Sequence, residues 1–250
     1  MISNNLLQFP KIFADTSDIK EIEALKKLGI IHGITTNPLI VAKEAGNESP
    51  IKYYQELAVR FPDLPISIQL LDSPLDELLE LSKAYAALSS NIVIKIPMFT
   101  DGRGLTILST LSSEGIKTNI TGLMTTEQVA LSLLAGAGIG PTYVSLFFNR
   151  IKDGGGNPQY EISRTKQLIK GLNFSAEIIV GSIRRGQDVV DAMIAGTHIV
   201  TVTPKVLWEM IEHPKTVEFI VQSQEAWNQL LSKKTEIKSG VKLNQKLTSS

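Results

Sequence analysis

The chain has 250 residues, 25 basic against 25 acidic side chains, three histidines and no cysteine. Balanced charge argues against a nucleic-acid or anionic-membrane partner, and the lack of cysteine excludes disulfides, thiolate metal sites and a cysteine nucleophile. No apolar run reaches the ~18 residues of a membrane span, and Met1-Ile2-Ser3-Asn4-Asn5 lacks the basic and apolar regions of a secretory signal, so a soluble cytoplasmic protein is expected.

Apolar, strand-like runs alternate with amphipathic stretches from one end to the other. The first run, Ile12–Thr16, leads into a helical pattern over Ile19–Leu28. That helix opens with Ser17-Asp18, carries Glu21 as in a capping box and stops at Gly29. Strands over Gly33–Asn37 and Ile66–Leu71 follow, then a helix over Leu75–Leu88, a strand over Ile92–Pro97 and a helix over Leu105–Leu111. Next come a strand over Thr118–Leu123, a helix over Gln128–Leu134 and strands over Tyr143–Phe148 and Ile178–Ile183. A helix over Val189–Ile194 and a strand over Ile199–Thr203 complete the series. Eight strands alternating with helices predict an α/β fold, a single (β/α)8 TIM barrel. The main competitor is a doubly wound open sheet. It usually carries a glycine-rich phosphate loop after its first strand, where this chain reads Ala14-Asp15-Thr16-Ser17.

Helices over Lys205–Glu212 and Thr216–Leu231 follow the last strand, so a barrel with an additional C-terminal helix is expected over residues 1–231. Residues 232–250 are polar, lysine-rich and aperiodic, and are expected to form a flexible tail or a partner-docking arm. No linker splits the chain, and no internal repeat is visible.

The fourth strand carries the most pointed signal. In Asn91-Ile92-Val93-Ile94-Lys95-Ile96-Pro97, alternation sets the isoleucines on one face and Val93 with Lys95 on the other. Both faces read as buried, as in a parallel sheet flanked by helices. A buried ammonium is costly unless it is paired or gives up its proton. With an ordinary pKa near ~10.4, only about one lysine in a few thousand is a free amine at pH 7. Burial raises that fraction, and a neutral amine attacks carbonyls to form Schiff bases. A lysine that snorkels to water or pairs with an aspartate is the other reading. This strand alone leaves both open.

Chemistry in such barrels gathers at the carboxyl ends of the strands. There the chain carries Asp15, Asn37, Gln69, Lys95, Thr121, Ser182 and Thr203, with Phe147 followed by Asn149 and Arg150. The first six are assigned inward parity, each from an earlier residue of its strand, as Asp15 is from Phe13. Lys95 supplies an amine, and Asp15 can act as general acid/base and offset charge on an iminium. Asn37, Gln69 and Thr121 can hold a hydroxylated substrate or a water. Arg150 and Arg184 can grip a phosphate with their guanidinium forks, helped by Ser182 and a Gly154-Gly155-Gly156 loop. The alternative for either arginine is an ordinary surface salt bridge.

Together these motifs resemble one family. Phe13-Ala14-Asp15-Thr16, Gly33-Ile34-Thr35-Thr36-Asn37-Pro38, Val93-Ile94-Lys95-Ile96-Pro97, Gly115-Ile116-Lys117-Thr118-Asn119-Ile120-Thr121 and Asn149-Arg150-Ile151 are similar to the transaldolases. The resemblance is closest to the small branch that includes fructose-6-phosphate aldolases, and it runs from about Ile12 to Leu231. It implies a Schiff-base lysine at Lys95, a proton-accepting carboxylate at Asp15, and a water positioned by Thr121 and Gln69. Thr36, Asn37 and Phe147 would line the substrate, and Arg150, Ser182 and Arg184 would bind its phosphate. The implied partners are a ketose phosphate donor and an aldose phosphate acceptor in carbohydrate metabolism of the pentose phosphate type. No cofactor or metal is implied. A homo-oligomer is expected, with a ring built through the last helix as its form in small members.

Two departures pull in opposite directions. Transaldolases of the family usually carry glutamate where this chain has Gln69, which looks aldolase-like. Its aldolases carry a proton-donating tyrosine where this chain has Phe147, which looks transaldolase-like and weighs more. Leu146 replaces a common proline and Leu39 a common serine, and both are expected to line the rim. A deoxyribose-phosphate aldolase would place its lysine on strand six, where this chain has none. The reading is therefore transaldolase. The alternatives are a fructose-6-phosphate aldolase, or a retired barrel that only binds a sugar phosphate.

Other features have plainer readings. Ala135-Gly136-Ala137-Gly138-Ile139-Gly140 precedes a strand, so it is a loop rather than a dinucleotide fingerprint. His32, His198 and His213 lack metal-ligand spacing. The glycosylation patterns at Asn47, Asn119 and Asn173 read as accidental. Trp208 and Trp227 read as packing residues, with a neighbouring subunit as the alternative cover for Trp227.

Overall fold

The computed structural model describes residues 9–46, 48–136 and 141–247, with side chains as far as Ser232. Eight strands close into a parallel barrel in chain order. They are β1 (Lys11–Asp15), β2 (Ile31–Thr35), β3 (Ile66–Gln69), β4 (Ile92–Pro97), β5 (Thr118–Leu123), β6 (Tyr143–Phe147), β7 (Glu177–Gly181) and β8 (Ile199–Val202). β8 returns to pair with β1, Thr201 opposite Phe13. The fold is the (β/α)8 barrel that the alternation predicts.

After β1 comes α1 (Ile19–Lys27), and after β2 come α2 (Pro38–Glu44) and α3 (Pro50–Arg60). β3, β4 and β5 are each followed by one helix: α4 (Leu75–Ala86), α5 (Arg103–Ser113) and α6 (Thr126–Ala135). β6 is followed by α7 (Phe148–Asp153) and α8 (Pro158–Gly171), β7 by α9 (Gly186–Ile194), and β8 by α10 (Pro204–Ile211) and α11 (Pro214–Leu247). Five of these, α2, α3, α8, α10 and α11, open on proline, which fits a first helical turn because its missing N–H would have no partner there. No helix was named over 38–60 or 158–171, where α2, α3 and α8 stand. The α1 cap differs from the expected box: Asp18 accepts from the Lys20 and Glu21 amides, while Glu21 takes the Thr16 hydroxyl at 3.0 Å.

Each strand shows two buried faces. Ile34, Ile68, Ile94, Ile120, Val180 and Val202 belong to the large cluster between sheet and helices. Phe13, Val93, Tyr143, Ile179 and Ile199 form a separate cluster inside the barrel, with the Phe13 and Tyr143 rings edge to face at 5.8 Å. Gly33 makes room for it: a β-carbon there would sit 2.5 Å from the Phe13 ring.

This partition corrects two expectations. Ser182 shares parity with Ile178 and Val180, which face the helices, and the inward residue of β7 is Ile179. Leu146 is likewise fully buried in the helix-facing cluster, whereas Leu39 stands 85% exposed on α2. Only Leu39 can contribute to the rim.

The described residues from Trp208 onward form a compact unit of their own. The backbone of α11 stays helical to Leu247, where a tail was expected. Its lysines, glutamates and glutamines are good helix formers that need no apolar stripe. Val217, Phe219, Ile220, Trp227 and Leu230 on this helix are exposed in the single chain, and so is Trp208. Among the described residues no helix is long and apolar enough to cross a membrane.

Candidate active site

Lys95 lies near the carboxyl end of β4 with 6% of its surface exposed. Its neighbours in register are Gln69 on β3 and Asn119 on β5. Its Nζ donates to the Thr36 carbonyl at 3.0 Å. Among the described residues no carboxylate lies within ion-pair reach of it. Burial pushes its pKa down, and the Asp15 charge pulls it back only in part, so the net shift is downward. Snorkelling and pairing are both ruled out by this geometry; a desolvated amine remains.

Asp15 ends β1. Its Oδ1 accepts the Thr35 hydroxyl at 2.8 Å, and Thr35 Oγ1 lies 2.5 Å from Thr201 Oγ1. Since the Thr35 proton goes to Asp15, Thr201 donates to Thr35, and the carboxylate is held by a two-hydroxyl chain. Across the barrel Asn119 accepts from Ser145 at 2.7 Å and donates to Ser67 at 3.2 Å. All three are buried and satisfied by one another.

Thr121 differs. It is 2% exposed, and its hydroxyl has no hydrogen-bond partner among the described residues. An unmatched buried hydroxyl costs on the order of 1–3 kcal/mol, and here it offers a donor and an acceptor to a substrate hydroxyl or a water. Gly122, at φ 74°, turns the chain immediately after it. Asn37 caps α2, its Oδ1 accepting from the Leu39 and Ile40 amides at 3.1 Å. That leaves Nδ2 as the end available to a ligand. Thr36 turns its hydroxyl to the Ser67 carbonyl at 2.8 Å, so its backbone oxygen, not its side chain, meets Lys95.

Gln69 is half-buried and also borders a cavity of about 370 Å³ lined by Val41, Tyr54, Leu71, Leu81 and Tyr85 among others. Phe147 is half-buried at the end of β6. Arg150, on α7, is exposed and has no ion pair among the described residues. Arg184 forks onto Asp153, through Nη1 to Oδ1 at 2.9 Å and a second bond from Nη2 to Oδ2. Both partners are about half exposed, and such a pair is worth little enough for a phosphate to compete for the fork. β6 and β7 are adjacent, which brings Arg150, Ser182 and Arg184 to one sector of the rim. Thr203 lies past the end of β8, where its carbonyl accepts from Leu207 in α10.

Sequence reasoning missed Thr35, Ser67, Asn119, Ser145 and Thr201. Each stands two residues before a rim residue it did name, namely Asn37, Gln69, Thr121, Phe147 and Thr203. The same alternation that picked out the rim therefore contained them. Asn119 is fully buried, which agrees with reading its glycosylation pattern as accidental; Asn47 and residues 137–140 of the glycine-rich stretch lie outside the described residues. Among the described residues no three side chains form a metal-holding group.

A family described as transaldolase/fructose-6-phosphate aldolase matches residues 12–248. A probable transaldolase of Streptococcus equi subsp. zooepidemicus (strain MGCS10565) is 36% identical over 218 residues, covering 87% of this chain and 97% of its own length. A probable transaldolase of Clostridium botulinum (strain Hall) is 38% identical over 207 residues, covering 82% and 91%. One from Streptococcus pyogenes serotype M5 (strain Manfredo) is 35% identical over 218 residues, covering 87% and 97%. With a buried amine on β4, a carboxylate on β1 and these matches over most of its length, the chain belongs to the transaldolase/fructose-6-phosphate aldolase family.

Proposed function

We propose that the protein is a class I transaldolase that moves a dihydroxyacetone unit from a ketose phosphate to an aldose phosphate. The observation that carries the reading is Lys95: a lysine buried in the barrel, shifted toward the free amine and with no carboxylate within ion-pair reach among the described residues. Its amine adds to the C2 carbonyl of the open ketose, and loss of water gives an iminium. Asp15 takes the proton from the C4 hydroxyl while the C3–C4 bond breaks, and the bonding electrons pass to the iminium nitrogen. An aldose phosphate leaves, and a three-carbon enamine stays on Lys95. Addition of a second aldose phosphate reverses the sequence, and water returns to release the new ketose and the amine. Thr121 and Gln69 handle that water in this reading, and Asn37 Nδ2 holds the dihydroxyacetone hydroxyls. Arg150, Arg184 and Ser182 receive the phosphate in the same reading.

A second reading is favoured by Gln69, the residue the resemblance associates with aldolases: the enamine is protonated and dihydroxyacetone is released. Phe147 weighs against it, because its ring has no proton to give. The experiment is incubation with fructose 6-phosphate, with and without an aldose phosphate acceptor, with all sugars quantified. A new ketose formed only with acceptor, and little free dihydroxyacetone without it, is expected. Stoichiometric free dihydroxyacetone in both arms would contradict transfer as the main activity.

A further inference from the structure

The segment between β7 and α9 is held by a buried carboxylate that the proposed reaction does not use. Asp188, in the first turn of α9, is 1% exposed. Its Oδ2 accepts from the Asn149 side-chain amide at 2.8 Å and from the Arg184 and Arg185 backbone amides at 3.1 and 3.2 Å. Its Oδ1 meets Arg185 Nη2 at 3.4 Å. Asn149 in turn donates to the Ser182 carbonyl twice, from its side chain at 2.8 Å and its backbone at 3.2 Å. Ser182 adopts φ 58°, a left-handed conformation that side-chain-bearing residues avoid unless their surroundings over-determine it.

A helix acid that bonds back to its own N-terminal turn is ordinary capping. The reach from α9 to Asn149 on α7, and from there to a strained Ser182, goes beyond capping. It fastens the element bearing Arg150 to the element bearing Arg184. Burial pushes the Asp188 carboxyl up, but the Asn149 amide and the Arg184 amide more than offset this and hold it below the usual aspartate range. At neutral pH it is a fixed anion among donors.

We propose that Asp188 and Asn149 form a positioning clamp that holds Ser182, Arg150 and Arg184 at the spacing of a phosphate site, and so set the preference for phosphorylated sugars. The inference rests on the phosphate role given to those three residues above. Neither clamp residue touches substrate; each acts through the segment it fixes. Charge and geometry predict opposite signs, which makes the clamp testable. If Asp188 acted only as a negative charge beside arginines, removing it would tighten phosphate binding. As a clamp, its removal loosens binding.

The test compares Asp188→Ala, Asn149→Ala and Asp188→Asn with the parent protein. Two readouts are used: calorimetric binding of inorganic phosphate, and the ratio of kcat/KM for fructose 6-phosphate to that for fructose. Loss of hydrogen bonds to a charged group predicts at least about tenfold weaker phosphate binding in both alanine variants, with a matching fall in the ratio. Asp188→Asn keeps an amide oxygen for the same three N–H donors and is expected within about threefold of the parent. If Asp188→Ala does not fold, Asn149→Ala decides by the same readouts. Unchanged or tighter phosphate binding in a folded alanine variant would overturn the inference. So would equal losses with fructose 6-phosphate and fructose, or a parent protein that binds no phosphate. Clamp-dependent phosphate binding in a protein that turns over neither sugar supports the clamp and counts against the transaldolase reading instead.

Discussion

In the amino-terminal half of the barrel interior, Phe13, Val93, Tyr143, Ile179 and Ile199 form an apolar plug. Two residues further along the same strands stand Asp15, Lys95, Ser145, Gly181 and Thr201. Each strand thus passes from packing to chemistry in one step of its alternation. The plug keeps water from the floor of the site, which is what makes the Lys95 ammonium expensive. The upper layer then separates groups that satisfy one another from groups left for a ligand. Thr35 with Thr201 holds Asp15, and Asn119 holds Ser67 and Ser145, whereas the Thr121 hydroxyl has no partner among the described residues.

The sharpest way to break this contrast is to extend the plug upward by one residue. Lys95→Met should abolish turnover while stabilising the fold by about 0.5–2 kcal/mol at pH 7, because an apolar side chain replaces a costly amine. In the folded protein the Lys95 pKa lies below its unfolded value of about 10.4. Between those two values the unfolded chain binds more protons, so the parent gains stability as pH rises through that window. The advantage of Lys95→Met should therefore shrink toward about pH 10, which parallel denaturant titrations across pH would show.

Asp15→Asn tests the other active group of the upper layer. It should lower kcat by about 10²–10⁴-fold, the usual worth of a positioned acid/base. Trapping of the Schiff base should survive, because the amine is untouched. Equal loss of trapping and turnover would assign Asp15 to carbonyl attack instead.

Gly33→Ala attacks the plug alone. The added methyl meets the Phe13 ring, and overpacking of this kind costs about 1–3 kcal/mol. A fall in Tm of several degrees with little change in KM is expected. Phe147→Tyr has the smallest effect: by supplying a proton donor at the rim, it should raise dihydroxyacetone release relative to transfer by a few-fold, read from the product ratio.

The barrel was legible from alternation because parallel strands buried on both faces are long apolar runs, and the helices between most of them are amphipathic. What it missed had local causes. The helices that begin at Pro38, Pro50 and Pro158 were not named, and α11 continues on propensity after its apolar residues end. Within the site, Lys95 and Asp15 stood out because charge is rare in a strand. Asn119, Ser67 and Ser145 did not, since small polar residues inside a strand are unremarkable until their partners across the barrel are known. Ser182 was given the wrong face because the helix-facing Ile178 and Val180 share its parity, and the left-handed turn it makes past the strand, held through Asn149 and Asp188, leaves no mark in the alternation.

The central claim, that Lys95 is the covalent centre, is tested most directly by borohydride reduction in the presence of fructose 6-phosphate, followed by intact mass and peptide mapping. A three-carbon adduct on Lys95, absent from Lys95→Met, is the predicted result. An adduct on another lysine, or none on folded protein, would contradict it and favour a barrel that only binds.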